Sequence, residues 1–341
     1  VCRPVVVSAS VDMNSAQLVE VDVDDIDVRL DRWFRRRYPE LNHGYLEKML
    51  RKGQVRVDGA RVKAGHRLAP GQLILVPPLA SPTPKTRAKV SDRDGRELQS
   101  RVLYRDSSVL VLDKPAGLAV QGGSGTKLHL DGMLDALQFD ASERPRLVHR
   151  LDRDTSGVLV LARHTRAVAS LAQSFRDREA KKLYWAITSG VPPHERGQID
   201  LPLAKLPGRG GERARVDRKG GKRSTTGFAV IEQLGKQAAW LALWPRTGRT
   251  HQLRAHCAAI GTPILGDGKY GAAASMLSGL AVSKGLHLHA RSIKIPHPDA
   301  GTLTAEARVP EYFHATMQAL GFNPEAATER MAEIEAEDEF E

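Results

Sequence analysis

The segment Leu147-Val148-His149-Arg150-Leu151-Asp152-Arg153-Asp154-Thr155-Ser156-Gly157, running on into Val158-Leu159-Val160-Leu161, is the most informative stretch of the chain. Two short apolar runs flank a tight loop holding two carboxylates, two guanidiniums and small or hydroxylated residues. Such runs read as strands, and such a loop presents polar side chains at a sheet edge while its hydroxyls satisfy loop backbone. A carboxylate held there with Arg nearby is expected to stay ionised at neutral pH, since an opposite charge typically lowers an Asp pKa by about 1–3 units. An ionised Asp can act as a nucleophile. The bland alternative is a structural Asp–Arg pair. Chemistry alone leans towards it, because such pairs are common.

Outward from this loop the pattern continues. Val109-Leu110-Val111-Leu112 reads as a buried strand ending at Lys114-Pro115-Ala116-Gly117. Thr165 is the expected cap of a helix whose apolar face is Val168, Leu171 and Phe175. In Leu183 to Thr188 the residues Leu183, Trp185 and Ile187 face one way, and Tyr184, Ala186 and Thr188 the other. Trp240 to Trp244 is a further strand. Many strands and few helices predict an α+β domain with a mixed, largely antiparallel sheet. A second polar constellation is Gly248-Arg249-Thr250-His251-Gln252-Leu253-Arg254-Ala255-His256-Cys257. Leu253, Cys257 and Ile260 mark one face of a helix that Gly261 closes, and Arg254 lies beside that face, able to reach a neighbouring loop.

The chain has 341 residues, enough for two domains. No apolar run approaches the roughly 18–20 residues that span a bilayer, so no membrane partner is expected. The first twenty residues lack the basic-then-apolar pattern of a secretory signal, and only Cys2 and Cys257 are present. These features predict a reducing, cytoplasmic setting with free thiols; a monomer is the expected state. No dinucleotide fingerprint occurs, and Lys222 is trailed by Arg223 where a phosphate loop needs Ser or Thr. No cofactor is expected. No metal is expected either, since paired-Cys and H-E-x-x-H spacings are absent, although His287 and His289 share a strand face.

The formal net charge of +11 points to a polyanionic partner. Residues 28–76 carry twelve Lys or Arg against four acids, a net of 12 − 4 = +8. Within them, Leu30, Trp33 and Phe34 recur at helical spacing, and Leu46, Met49 and Leu50 mark a second helix that Gly53 caps. Val55 and Val57 alternate with polar residues before the turn signal Asp58-Gly59, and Arg61 to Lys63 and Leu73 to Val76 suggest further strands. The result is a small α/β module with a basic side, formed by Arg29, Arg32, Arg35, Lys48, Arg51, Lys52 and Lys63, suited to phosphates whatever the base sequence. The expected partition is a tail over 1–27, this module over 28–78, a Pro-rich linker over 79–98, the larger domain over 99–320 and an acidic tail over 321–341. The Gly-rich basic stretch Lys205 to Arg223 reads as an RNA-contacting loop or a plain solvated insertion.

Two resemblances sharpen this reading. Arg29-Leu30-Asp31 and the run Leu50 to Gly59 resemble the alpha-L RNA-binding module shared with a small-subunit ribosomal protein. The loop His149 to Gly157 resembles the signature of the RluA-type pseudouridine synthases, with Lys182-Leu183-Tyr184 and Gly248 to Arg254 similar to that family's later motifs, in order. The resemblance implies an isomerase that flips a uridine out of RNA. It implies Asp152 as nucleophile, Tyr184 as a catalytic residue stacked on the target base and helping proton removal, and Arg254 paired with Asp152. It also implies Leu288 beside the base pocket and Arg150 holding RNA around the extruded base. His149 and Gln252 join these as substrate-site positions, His149 mainly as support. Ala119 to Gly125, with the N-terminal module, looks like the subgroup acting on large-subunit ribosomal RNA, so 23S rRNA is the expected partner. The alternatives are transfer RNA as substrate, or a non-catalytic RNA-binding assembly factor. Asp113 departs from the family, where many relatives carry Asn.

Overall fold

A computed structural model describes residues 16–38, 41, 43–79, 90–122, 128–206, 213–271, 277, 282–324 and 330–331. The chain divides into two compact units, residues 1–87 and 88–341.

The first unit contains β1 (Gln17–Glu20), α1 (Leu30–Arg37), α2 (His43–Lys52), β2 (Arg56–Val57) and β3 (Leu73–Val76), with strand order β1-β3-β2, all antiparallel. Leu30, Trp33 and Phe34 of α1 and Leu46, Met49 and Leu50 of α2 bury against Val55, Val57 and Ile74, the apolar set that periodicity predicts. Asp58 and Gly59 both adopt positive φ, as a two-residue hairpin turn requires, and Val57 and Ala60 exchange backbone hydrogen bonds across it. Arg61 to Lys63 form no strand: the hairpin stops after that one bridge, and β3 is already flanked on both edges. The expected tail over 1–27 is corrected at its end, since β1 pairs with β3 and Val21 is buried.

The second unit is built on one large sheet. Its elements are α3 (Asp92–Ser100), β4 (Val102–Arg105), β5 (Val109–Lys114), α4 (Leu130–Met133), β6 (Arg146–Leu147), β7 (Ser156–Ala162), α5 (Thr165–Arg176), β8 (Lys181–Ser189), β9 (Arg196–Asp200), β10 (Leu203–Leu206), β11 (Arg213–Val216), β12 (Thr225–Leu234), β13 (Ala238–Pro245), α6 (Gln252–Ala259), β14 (Leu288–Pro296), β15 (Thr302–Glu306) and α7 (Glu311–Ala319). The order is β4-β5-β7-β14-β8-β13-β12-β9, with β15 added to β14 and β6 to β7, and β10 and β11 form a separate hairpin. Among the described residues of the sheet only β7 and β14 run parallel, which agrees with the mixed, largely antiparallel sheet of an α+β domain.

Both faces of the sheet are covered, so β7 is buried along its whole length and most residues of β5 and β13 are buried too. On one face Trp185, Ile187 and Trp240 pack under Phe313 and Met317 of α7, and Val109, Val111, Val158 and Val160 under Ala167 and Leu171 of α5. On the other, Leu110, Leu112, Leu159 and Leu161 meet Leu98, Leu130 and Leu134, while Ala186, Leu241 and Leu243 meet Leu253 and Cys257 of α6. The cap of α5 is His164, not Thr165. Its backbone is extended and its Nδ1 accepts the Ala167 N–H, doing what a Ser or Thr side chain does elsewhere. The expected linker gives up its end to α3, whose Ser91 caps the helix and whose Leu98 is buried. Phe322 and Met331, inside the expected acidic tail, pack in the core against Trp240. Among the described residues no helix is long and apolar enough to cross a membrane. The tip of the Lys205–Arg223 stretch (residues 207–212) and most of the acidic tail (325–329 and 332–341) lie outside the described residues.

Candidate active site

A cleft of about 930 Å³ opens on the α6 side of the sheet, lined by Arg150, Asp152, Tyr184, His251, Arg254 and Leu288 among others. Four separate elements deliver these groups. Asp152 sits in the loop between β6 and β7, Tyr184 on β8 and Leu288 on β14, while Arg254 projects from the first turn of α6. Because Leu183, Trp185 and Ile187 bury in the α7 face, Tyr184 necessarily points to the opposite, cleft-bearing face. There its register neighbours are Leu243 and Ala290.

The Asp152 loop is held from below. Thr155 donates its N–H to the Asp152 carbonyl, and the Gly117 N–H reaches the Arg153 carbonyl. Lys114, fully buried, donates to the carbonyls of Pro115, Leu118 and Arg153 at 2.8, 2.9 and 3.0 Å, three protons for three acceptors. Burial pulls the Lys114 ammonium down to about 7, against the opposing pull of Asp154 and Asp152. Sequence reasoning took Lys114 as the end of a strand and missed this tie. The loop hydroxyls also differ from expectation: Ser156 Oγ lies 2.9 Å from His289 Nδ1 rather than bonding the loop backbone.

The guanidinium beside Asp152 is not one of its loop neighbours. Arg153 pairs with Asp154 at 2.9 Å, and Arg150 is exposed on the cleft rim. Arg254 supplies the charge, with Nη1 3.8 Å from Asp152 Oδ2. Its shortest contacts, however, go to Asp267, whose two oxygens accept from Nε and Nη2 at 2.7 Å each. Asp267 also accepts the N–H groups of Lys269 and Tyr270. Burial works to raise the Asp267 carboxyl, but the hydrogen bonds and charge of Arg254, with those two amides, hold it below the usual carboxylate range. The only trace of Asp267 in the sequence is its place in a turn-rich Gly266-Asp267-Gly268, and it was missed.

His251 lies within the Gly248–Arg254 motif. It takes a left-handed backbone (φ 50°) just before α6, which brings Nε2 to 3.9 Å from Asp152 Oδ2 and Nδ1 to 3.1 Å from the Tyr270 hydroxyl. Burial lowers the His251 imidazole below its ordinary value, opposed by Asp152. Burial, reinforced by the Asp152 charge, raises Tyr184, so its phenol keeps its proton across the neutral range.

The remaining expected site residues fall into two groups. Leu288 is buried at the cleft wall, where its side chain offers an apolar surface. His149 stacks on Phe175 with centroids 4.5 Å apart, and its Nε2 accepts the Val160 N–H at 2.8 Å, a supporting position. Gln252 is a correction to the substrate-contact reading. Its oxygen accepts from Thr247 Oγ1 and the Arg249 N–H, and its nitrogen donates to the Thr225 carbonyl and Thr226 Oγ1, so the amide is spent on protein. It pins the loop before α6 to β12. Cys257 is buried with its thiol pushed up to about 12 by burial, which makes it an inert core group. His287 and His289, the weak metal candidates, bond instead to Thr316, Ser156 and backbone carbonyls. In the first unit, Arg29, Arg32, Arg35, Lys48, Arg51, Lys52 and Lys63 are all exposed, and Arg29 pairs with Asp31 at 2.8 Å.

Comparison with known proteins agrees with this arrangement. Residues 108–259 match the RNA pseudouridylate synthase family. The chain is 40% identical over 302 residues to the mitochondrial RNA pseudouridine synthase 4 of Arabidopsis thaliana, covering 76% of this chain and 63% of that protein. It is 37% identical over 287 residues to the ribosomal large subunit pseudouridine synthase C of Vibrio vulnificus, covering 83% and 89%. A 33% identity to the synthase of the same name in Rickettsia bellii covers 84% and 96%. Among solved structures, human RNA pseudouridylate synthase domain containing 4 superposes with a TM-score of 0.55 at 27% identity, over 66% of this chain and 95% of that one. The sheet, the cleft and these relatives together show that this chain belongs to the RluA-type pseudouridine synthase family, isomerases that convert uridine to pseudouridine in RNA.

Proposed function

We propose that the chain modifies specific uridines of large-subunit ribosomal RNA, with Asp152 as nucleophile and the target base everted into the cleft. The observation that carries the catalytic reading is the meeting of Asp152, Tyr184 and Arg254 in one cleft, with Arg254 Nη1 3.8 Å from the Asp152 carboxylate. The names of the relatives that cover most of the chain support the ribosomal substrate.

The reaction breaks the bond from ribose C1′ to uracil N1, turns the base and joins C1′ to C5; C5 gives up a proton and N1 takes one, so product and substrate are isomers. No oxidant, reductant or donor group is consumed. A uracil inside folded RNA must first leave its stack, at a cost of a few kcal/mol, and phosphate contacts from the basic surfaces offset it. Tyr184 and Leu288 offer the base one aromatic and one apolar surface, while Arg150 on the rim meets the flanking backbone. Asp152 then acts at the sugar, by attack on C1′ or by a route that begins with sugar deprotonation. Arg254, 3.8 Å away, keeps its carboxylate aimed.

The test is incubation of the protein with unmodified 23S rRNA and with transfer RNA, followed by pseudouridine mapping. The reading expects new pseudouridine in 23S rRNA with wild type and none with Asp152→Asn, whose RNA affinity stays within a few-fold. Modification of transfer RNA alone would overturn the substrate assignment. Near wild-type turnover by Asp152→Asn would overturn the nucleophile.

A further inference from the structure

We propose that Asp267 is the positioning residue of this active site: it holds the Arg254 guanidinium so that one cation serves two carboxylates, gripping Asp267 and only grazing Asp152. The inference rests on the reading of Asp152 as nucleophile.

The geometry is asymmetric in a way that matters. Arg254 gives Nε and Nη2 to Asp267 in a two-pronged contact at 2.7 Å, and turns Nη1 to Asp152 at 3.8 Å, beyond hydrogen-bond range. Two-pronged contact fixes the plane of the guanidinium, so the direction of Nη1 is set by Asp267 and not by the group it faces. Asp267 is itself immobilised: it is 1% exposed and accepts the amides of Lys269 and Tyr270. The Tyr270 ring packs against the guanidinium, with Cζ 5.3 Å from its centroid. The backbone that carries Asp267 is equally constrained. Gly266 has φ of 72°, and a Cβ there would lie 1.6 Å from the Gly285 carbonyl oxygen, so only glycine permits this approach.

This division of the cation suits a nucleophile. A carboxylate locked in a two-pronged pair with Arg254 would have both oxygens occupied and would have to break that pair to act. A neighbouring cation at 3.8 Å attracts Asp152 while leaving its oxygens free to move towards the sugar. Without Asp267, Arg254 would swing to the remaining carboxylate and tie it down. A buried carboxylate serving only to solubilise or fold the helix would have no such consequence for turnover.

The experiment measures release of tritium from RNA carrying [5-³H]uridine, using full-length protein and transcribed 23S rRNA. The variants are Asp267→Asn, Asp267→Glu, Arg254→Lys, Asp267→Asn with Arg254→Lys, and Asp152→Asn. Asp267→Asn is expected to lower kcat by about 10- to 100-fold, the usual effect of a misplaced catalytic neighbour, with KM changed little. In the Arg254→Lys background the same change is expected to cost less than about three-fold, because its target is already gone. Wild-type kcat in Asp267→Asn, or an undiminished further loss in the Arg254→Lys background, would overturn the proposal. If Asp267→Asn does not fold, Asp267→Glu decides. It keeps the charge but pushes the guanidinium towards Asp152, so reduced kcat at unchanged KM is expected and wild-type kcat overturns it. An inactive Asp152→Asn beside a wild-type-like Asp267 variant removes this inference alone. An active Asp152→Asn removes the nucleophile reading itself.

Discussion

At the scale of single residues, the site divides into groups that face the cleft and groups that fix them. Gln252 shows the second kind. It looks in sequence like one more polar residue beside Arg254, but all four hydrogen-bonding positions of its amide are used by Thr225, Thr226, Thr247 and Arg249. Gln252→Leu keeps the volume and strands those partners in a buried site, where each unsatisfied group costs about 1–3 kcal/mol. A loss of about 2–4 kcal/mol in folding stability is therefore expected by urea unfolding, with tritium release falling as the loop before α6 loosens. Tyr184 shows the first kind. With its phenol raised by burial and by Asp152, it does not ionise near neutrality, so kcat should carry no alkaline limb from this residue below about pH 10. Tyr184→Phe is the matching test, and a limb that appears in wild type and vanishes in the variant would contradict this. The residue identities at the cleft were legible in the sequence because three motifs carry them. Asp267 and Lys114 were not, since each acts through a long-range contact that no local pattern records.

At the scale of elements, periodicity found the strands and missed what joins them. The alternation along β8 was sufficient to place Tyr184 on the cleft face, because a strand buried on both sides offers only two directions. The parallel contact of β7 with β14 was not legible, as it joins segments more than a hundred residues apart. That junction depends on Gly157, with φ of 107°, where a Cβ would sit 2.2 Å from the Ala290 carbonyl oxygen. Gly157→Ala must push the strands apart directly behind the Asp152 loop, and we expect protein that unfolds at least about 3 kcal/mol more easily and lacks turnover. The same junction holds titratable groups. His287 and His289 are fully buried and lowered to about 4 by burial. The unfolded chain protonates near 6.5, so the stability these neutral rings confer is complete above pH 6.5 and is lost as pH falls towards 4. Each contributes at most about 3 kcal/mol. The drop in urea stability between pH 7.5 and 4.5 should shrink by about 2–3 kcal/mol in His289→Gln, and an unchanged drop would show that His289 does not titrate in this window.

At the scale of the whole molecule, much of the net positive charge lies in a different unit from the cleft. The cleft belongs to the second unit, while residues 28–76 of the first hold a net of 12 − 4 = +8. Arg32 and Arg35 lie three apart on α1, and Lys48 and Lys52 four apart on α2, so each pair shares an exposed helix face. None of these side chains is in the cleft unit, and the contribution expected of them is phosphate affinity that is blind to base sequence. Such affinity comes from displaced counterions and has a measurable exponent: log affinity falls with log salt by about 0.9 per phosphate neutralised on a duplex and about 0.7 on a single strand. Replacing Arg32, Arg35, Lys48 and Lys52 together by Gln should therefore flatten that slope by about 3 for folded ribosomal RNA. The defect should appear in KM, be widest at low salt and narrow as salt is raised, because the flatter line of the variant converges on that of wild type. A parallel loss at every salt concentration would mean instead that the four side chains read particular bases or that the unit had unfolded, and circular dichroism of the variant separates those two outcomes.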